Sequence, residues 1–314
     1  MRVSLTGPSA KAAGQVHAML HLILMITLGV ANPGLMERVY SHWLNYRVVD
    51  HGEVSPKLAF VWGAPRMAHR EYVTMQPASG AKIYLRFVQV APIPGYVPMR
   101  TIGWNAIESL VQDPDGLARR LSIAGSPFKI EGQPRPLGPN SPVRAMQVEG
   151  PAKEILYFTH LPNAPGQRPR AKTYVDRPFV MVLGGKKLDA MRQFYHDLGA
   201  ETDDRTMPAR ITVLNRAFGY GLDTTHPITL ARVSPQYSIE MDGYPASAVE
   251  RPTRPGNLPA AIAMVTFEVS TLDHLKLPVV APPKTISSFP YRGRRVAVVR
   301  GAAGELVELV AEGK

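Results

Sequence analysis

The side chains singled out for chemistry are histidine, glutamate and tyrosine, and the 314 residues include no cysteine. That excludes disulfides, zinc–thiolate sites, iron–sulfur clusters and a thiol nucleophile. His17, His42, His51, His69, His160, His196, His226 and His274 show no paired metal spacing. There is no H-E-x-x-H, no phosphate-binding glycine loop and no G-x-S-x-G elbow. Gly184-Gly185-Lys186-Lys187 lacks the P-loop frame and reads as a strand-to-helix turn. His21 is different, because it lies inside an apolar run, residues 18–31, AMLHLILMITLGVA. An imidazole there is either a hydrogen-bonded core group or a base that titrates near neutral pH. Paired carboxylates would serve as acid and base or hold a divalent cation through oxygen. Phenols would donate to a developing oxyanion. Three tryptophans, twelve tyrosines and 13 methionines suit an aromatic or apolar ligand and a packed core equally well.

Such groups need strands and helices to aim them, and the chain supplies these four times over. Residues 290–310, PYRGRRVAVVRGAAGELVELV, read as a β-hairpin, with strands at 295–300 and 305–310 and a turn at 301–304. Residues 188–199, LDAMRQFYHDLG, read as an amphipathic helix with Leu188, Met191, Tyr195 and Leu198 on one face and Gly199 as its stop. The first unit starts with the strand at His21, has a helix over 34–46 and closes at 82–90. The second starts at Trp104, has a helix beginning at Asp113 and closes at 154–159. The third starts near Phe179 and closes around 237–241. The fourth starts at Met264 and closes with the hairpin. Proline- and glycine-rich stretches at 92–95, 161–172 and 250–259 read as linkers.

The helix pattern LDAxxxFYxxLG and the final hairpin resemble the vicinal oxygen chelate superfamily of glyoxalases, bleomycin-resistance proteins and extradiol dioxygenases. The resemblance covers roughly residues 18–312. It implies an α+β fold of two domains, each a pair of βαβββ modules forming a cup-shaped mixed sheet. With modules taken in chain order, an N-terminal domain spans 18–160 (modules 18–92 and 98–160). A linker at 161–175 leads to a C-terminal domain over 176–314 (modules 176–249 and 257–312). In this family ligands come from the first and last strand of each module. That places His21, Tyr84, Glu108 and Tyr157 in the N-terminal cup as a catalytic set, with Ala106 at a ligand position. Arg177, Glu240, Met264 and Glu308 become the candidates of the C-terminal cup, where Glu240 and Glu308 are expected to face one cavity. Glu308 occupies the usual carboxylate ligand position, but Met264 stands where a histidine is expected, and the third module's opening strand has none. A metal-free acid–base site is therefore favoured. Iron, manganese or zinc, on His21 or Glu308, is the alternative.

The implied activity is proton transfer beside an oxygen, lyase- or isomerase-like, on a small aromatic or carbonyl-bearing compound. His21 would be the base, Tyr84 and Tyr157 oxyanion donors and Glu108 an orienting or relaying group. A metal-dependent dioxygenase or glyoxalase-like enzyme and a non-catalytic binding or resistance protein are the alternatives. Net charge is +11, but the basic clusters are short and fall in linkers and turns, at Arg168–Lys172 and at Arg292, Arg294 and Arg295. A basic surface without a nucleic-acid motif suits a small anion better than a polynucleotide. The apolar run at 18–31 is too short to cross a bilayer and reads as a buried strand. Residues 1–17 read as a disordered polar tail. The expected setting is cytoplasmic, with no membrane or nucleic-acid partner and with a homodimer as an option.

Overall fold

The computed structural model describes residues 20–138, 140–162, 169–273 and 275–313. The tail expected at 1–17 lies outside them, as do residues 163–168 of the expected linker. The first unit comprises β1 (Leu20–Val30), α1 (Pro33–Leu44), β2 (Tyr46–Glu53), α2 (Pro56–Val61), β3 (Glu71–Pro77) and β4 (Tyr84–Gln89). The second comprises β5 (Gly103–Val111), α3 (Pro114–Leu121), β6 (Lys129–Pro136), β7 (Arg144–Glu149) and β8 (Ile155–His160). The third comprises β9 (Val175–Gly185), α4 (Leu188–Asp197), β10 (Glu201–Thr202), β11 (Met207–Arg210), α5 (Thr212–Phe218), β12 (Thr225–Ser234) and β13 (Tyr237–Gly243). The fourth comprises β14 (Ala261–Val269), β15 (Lys284–Ile286), β16 (Arg294–Arg300) and β17 (Leu306–Ala311), with no helix among the described residues between β14 and β15.

Local chemistry sets these boundaries. Asn32 caps α1 by accepting from the Leu35 amide at 2.9 Å, Pro33 occupies the first turn, and Asn45 closes the helix at φ 58°. Asp113 caps α3 in the same way through the Gly116 amide. The buried face of α4 holds Met191, Phe194 and Tyr195, and Gly199 follows at φ 86°. No helix among the described residues is long and apolar enough to cross a membrane.

The strands form two mixed sheets, each built from two units, but the units do not pair in chain order. One sheet runs β15-β16-β17-β14-β1-β4-β3-β2, joining the first unit to the fourth. The other runs β10-β12-β13-β9-β5-β8-β7-β6, joining the second to the third, with β11 on β12. The expected pairing of units one with two and three with four is thereby corrected. The opening strand of every unit is apolar and buried on both faces, so its free edge must be covered. The antiparallel pairs that do this are β1 with β14, from Leu20↔Val269 to Gly29↔Ala261, and β5 with β9, from Gly103↔Gly184 to Val111↔Val175.

The chain-order neighbours meet across the layers instead. One continuous apolar core holds α1, α3 and α4 against one face of both sheets. Within it the Tyr40 hydroxyl of α1 donates to Glu154 at 2.8 Å, tying the first unit to the turn before β8 in the second. The Tyr195 hydroxyl of α4 donates to Glu305 at 3.0 Å, tying the third unit to the turn before β17 in the fourth. The inner face of each sheet has a separate core, filled by α2 and the loop after it in the 1–4 sheet and by α5 in the 2–3 sheet.

Candidate active site on the 2–3 sheet

The inner face of the 2–3 sheet gathers three carboxyl groups. Alternation along β13 puts Glu240 and Asp242 on this face while Ile239 and Met241 enter the core behind it. Glu108 comes from β5 beside Tyr157 of β8, its register partner. The Thr159 hydroxyl donates to Glu108 Oε1 at 2.5 Å. Asp242 is completely buried, and neither of its carboxyl oxygens meets an N–H or O–H donor among the described residues. Glu240, two residues before it on the same face of β13, is raised further by its charge, and two buried carboxyls this close resist ionising together.

Electrostatics follow from this crowding. Burial, and then the Glu240 charge, push Glu108 up to about 8 against the pull of the Thr159 hydroxyl. Burial, reinforced by the Asp242 charge, holds Glu240 well above the usual carboxylate range. Asp242 is pushed up to about 7, chiefly by burial, with Glu240 opposing and the Glu108 charge adding. Tyr157 is buried with an unpartnered hydroxyl, and burial followed by the Asp242 charge keeps it a neutral phenol. Glu108 and Glu240 retain partial exposure, whereas Asp242 does not. Apolar side chains flank the cluster: Ala106, Val182 and Tyr244 on one side, Leu110, Phe179 and Val180 on the other.

The expected site residues are therefore redistributed. Glu108 and Tyr157 do share a face, and Glu240 joins them rather than Glu308. Tyr84 lies in the other sheet and stacks edge-on against Phe289 with ring centroids 4.9 Å apart. His21 belongs to neither cluster; its ring lies 3.6 Å from Glu312 and is about one-third exposed (36%). It cannot be the base for Glu108 or Tyr157, because β1 belongs to the other sheet. Arg177 bonds to Gln236 at the β12–β13 turn. Met264 is a buried apolar residue of the 1–4 inner core. Sequence reading missed Asp242, although its place two residues after Glu240 on a strand is the signal that finds it.

Glu308 is fully buried in the 1–4 sheet, where its oxygens are taken. Trp62 Nε1 donates to it at 2.7 Å, Thr266 Oγ1 at 2.6 Å and the Tyr291 hydroxyl at 3.0 Å. The Arg86 guanidinium stands 4.0 Å away and also bonds Tyr291 and Thr27. A metal ion does not fit this setting, since the carboxylate already has a cation and three donors. The 2–3 cluster has no histidine, and no group of metal-binding side chains occurs among the described residues.

No family model and no curated protein matches the sequence. Solved structures do. Glyoxalase I from Zea mays aligns with a TM-score of 0.63 over 92% of this chain and 92% of that one, at 13% identity. A putative dioxygenase from Bacillus subtilis subsp. subtilis str. 168 aligns with a TM-score of 0.60 over 95% of this chain and 87% of that one, at 11% identity. The chain thus has the vicinal oxygen chelate fold. Identities this low establish architecture, and a fold of this kind hosts many chemistries.

Proposed function

We propose that the chain is a metal-independent enzyme that moves a proton at a carbon beside a carbonyl of a small apolar compound, using the carboxyl wall of the 2–3 sheet. The observation that carries this reading is the gathering of three carboxyls, Glu108, Glu240 and Asp242, on one face of the sheet, where burial and mutual repulsion hold each above the usual carboxylate range. General acid–base work needs groups that change state near the working pH, one holding a proton and one able to accept it. Glu108, at about 8, holds its proton at pH 7 and serves as the acid. The Glu240–Asp242 pair, once singly ionised, is the base, and Glu240 is the member a substrate reaches. The Tyr157 hydroxyl, with no partner of its own, donates to the oxygen on which charge develops. Leu110, Phe179 and Val180 favour an apolar or aromatic body on the substrate.

The test is solvent deuterium exchange. Aryl ketones and aryl 2-oxo acids are incubated with the protein in D2O, and loss of the hydrogen next to the carbonyl is followed by NMR. Wild-type protein accelerates exchange over buffer. Glu108→Gln loses about 10²-fold or more of that acceleration, and His21→Ala keeps it. Exchange no faster than buffer across both compound classes would overturn the reading.

A further inference from the structure

We propose that the mouth of the 1–4 sheet is a second small-molecule site, separate from the carboxyl wall, that takes an aromatic or aliphatic monocarboxylate. A cavity of about 390 Å³ lies there, its lining including Leu22, Leu24, Tyr84, Phe289, Lys82 and Arg292 together with the Arg294–Glu268 ion pair. The size suits a small organic ligand. Its walls divide cleanly by chemistry. Leu22 and Leu24 enter from β1, and Tyr84 and Phe289 present an edge-to-face aromatic pair. Two cations stand over this apolar surface. Among the described residues neither Lys82 nor Arg292 has a carboxylate within ion-pair distance. The two neighbouring arginines are already engaged, Arg294 with Glu268 and Arg295 with Asp273.

Arg292 is also held in an unusual way. Its φ is 51° and that of Gly293 is 83°, so two successive residues adopt the left-handed region. A residue with a Cβ pays for that conformation, and such residues collect at sites where a side chain must be aimed. The turn is fixed by the Arg292 amide on Ser288 O at 3.1 Å and the Gly293 amide on Ile286 O at 2.8 Å. It carries the guanidinium to within 5.7 Å of the Phe289 ring, over the cavity. The lining offers recognition: an apolar body against Leu22, Leu24, Tyr84 and Phe289, and an anionic head on Lys82 and Arg292. The short basic cluster of the final hairpin acquires a purpose in this way.

The test is calorimetric titration of the full chain with 4-phenylbutyrate, its neutral amide and the corresponding amine. The carboxylate binds, the amide binds at least 10-fold more weakly and the amine weakest of all. Lys82→Gln/Arg292→Gln, both at exposed positions, brings the carboxylate down to the level of the amide. Glu108→Gln binds the carboxylate as wild type does, which separates this site from the proposed catalytic wall. Equal binding of acid and amide, no effect of the double substitution, no binding of the acid, or loss of binding in Glu108→Gln would each overturn the assignment.

Discussion

Glu308 illustrates how little a residue's position says about its work. The final hairpin made it the obvious carboxylate, and the strand pattern does point it inward. Its role is decided by Trp62, Arg86, Thr266 and Tyr291, which turn a ligand position into a closed polar knot. Arg86 lies two residues beyond Tyr84 on the same face of β4, so alternation could have found it. Trp62 and Tyr291 come from loops, where no period exists to place them. A buried pair stripped of one charge leaves the other uncompensated. Arg86→Met should therefore destabilise the chain by about 3–5 kcal/mol in urea unfolding. Adding Glu308→Gln should recover at least half of that, because glutamine still accepts from Trp62 but carries no charge. If the second substitution makes matters worse, the cation is not what Glu308 needs.

The repeated hairpins show the same logic one level up. Residues 150–156, GPAKEIL, and 301–307, GAAGELV, make the same turn. In each, the glutamate accepts from the amide two residues back, Ala152 or Ala303, at 2.8 Å, and then from a helix tyrosine of the preceding unit. Gly301 leaves room for the carboxylate, since a Cβ there would lie 2.0 Å from Glu305 Oε1 and displace it. Tyr195→Phe removes a donor from a buried carboxyl and should cost about 1–3 kcal/mol by urea unfolding, with little change in the isolated α4 helix propensity. These units, their opening strands and the amphipathic helices α1, α3 and α4 were readable from periodicity. The short helices α2 and α5 were not, and they fill the inner faces. Ser55-Pro56 is a helix start, with Ser55 Oγ accepting from Leu58 at 3.2 Å. Ile211, which precedes α5, gives it no side-chain cap, and six or seven residues give too short a period to recognise.

Which unit pairs with which was beyond the sequence, because four opening strands with similar apolar patterns offer the same edges. The packing adopted, with first and fourth units in one sheet, second and third in the other and chain-order neighbours meeting across the layers, buries carboxyl groups at several junctions at once, and this gives the molecule a common response to pH. Burial pushes Glu154 and Glu305 up to about 7, Asp242 to about 7 and Glu108 to about 8. In the unfolded chain the same groups release their protons near 4. Folding therefore takes up protons between these limits, and stability falls as pH rises from about 4 to about 8, then levels off. His226 opposes the trend: burial lowers it, so its own contribution grows as pH rises through about 6.5. One histidine stands against these four carboxyls and Glu240, which burial also raises. The expected outcome is a urea midpoint that is highest near pH 5 and lower at pH 8, with a loss of several kcal/mol on the scale of 1.4 kcal/mol per pKa unit. Glu154→Gln, which keeps an acceptor for Tyr40 without an ionisable proton, should flatten that slope. A midpoint that rises from pH 5 to pH 8 would mean that these carboxyls are solvated and that the buried junctions between units are looser than the hydrogen bonds to Tyr40 and Tyr195 imply.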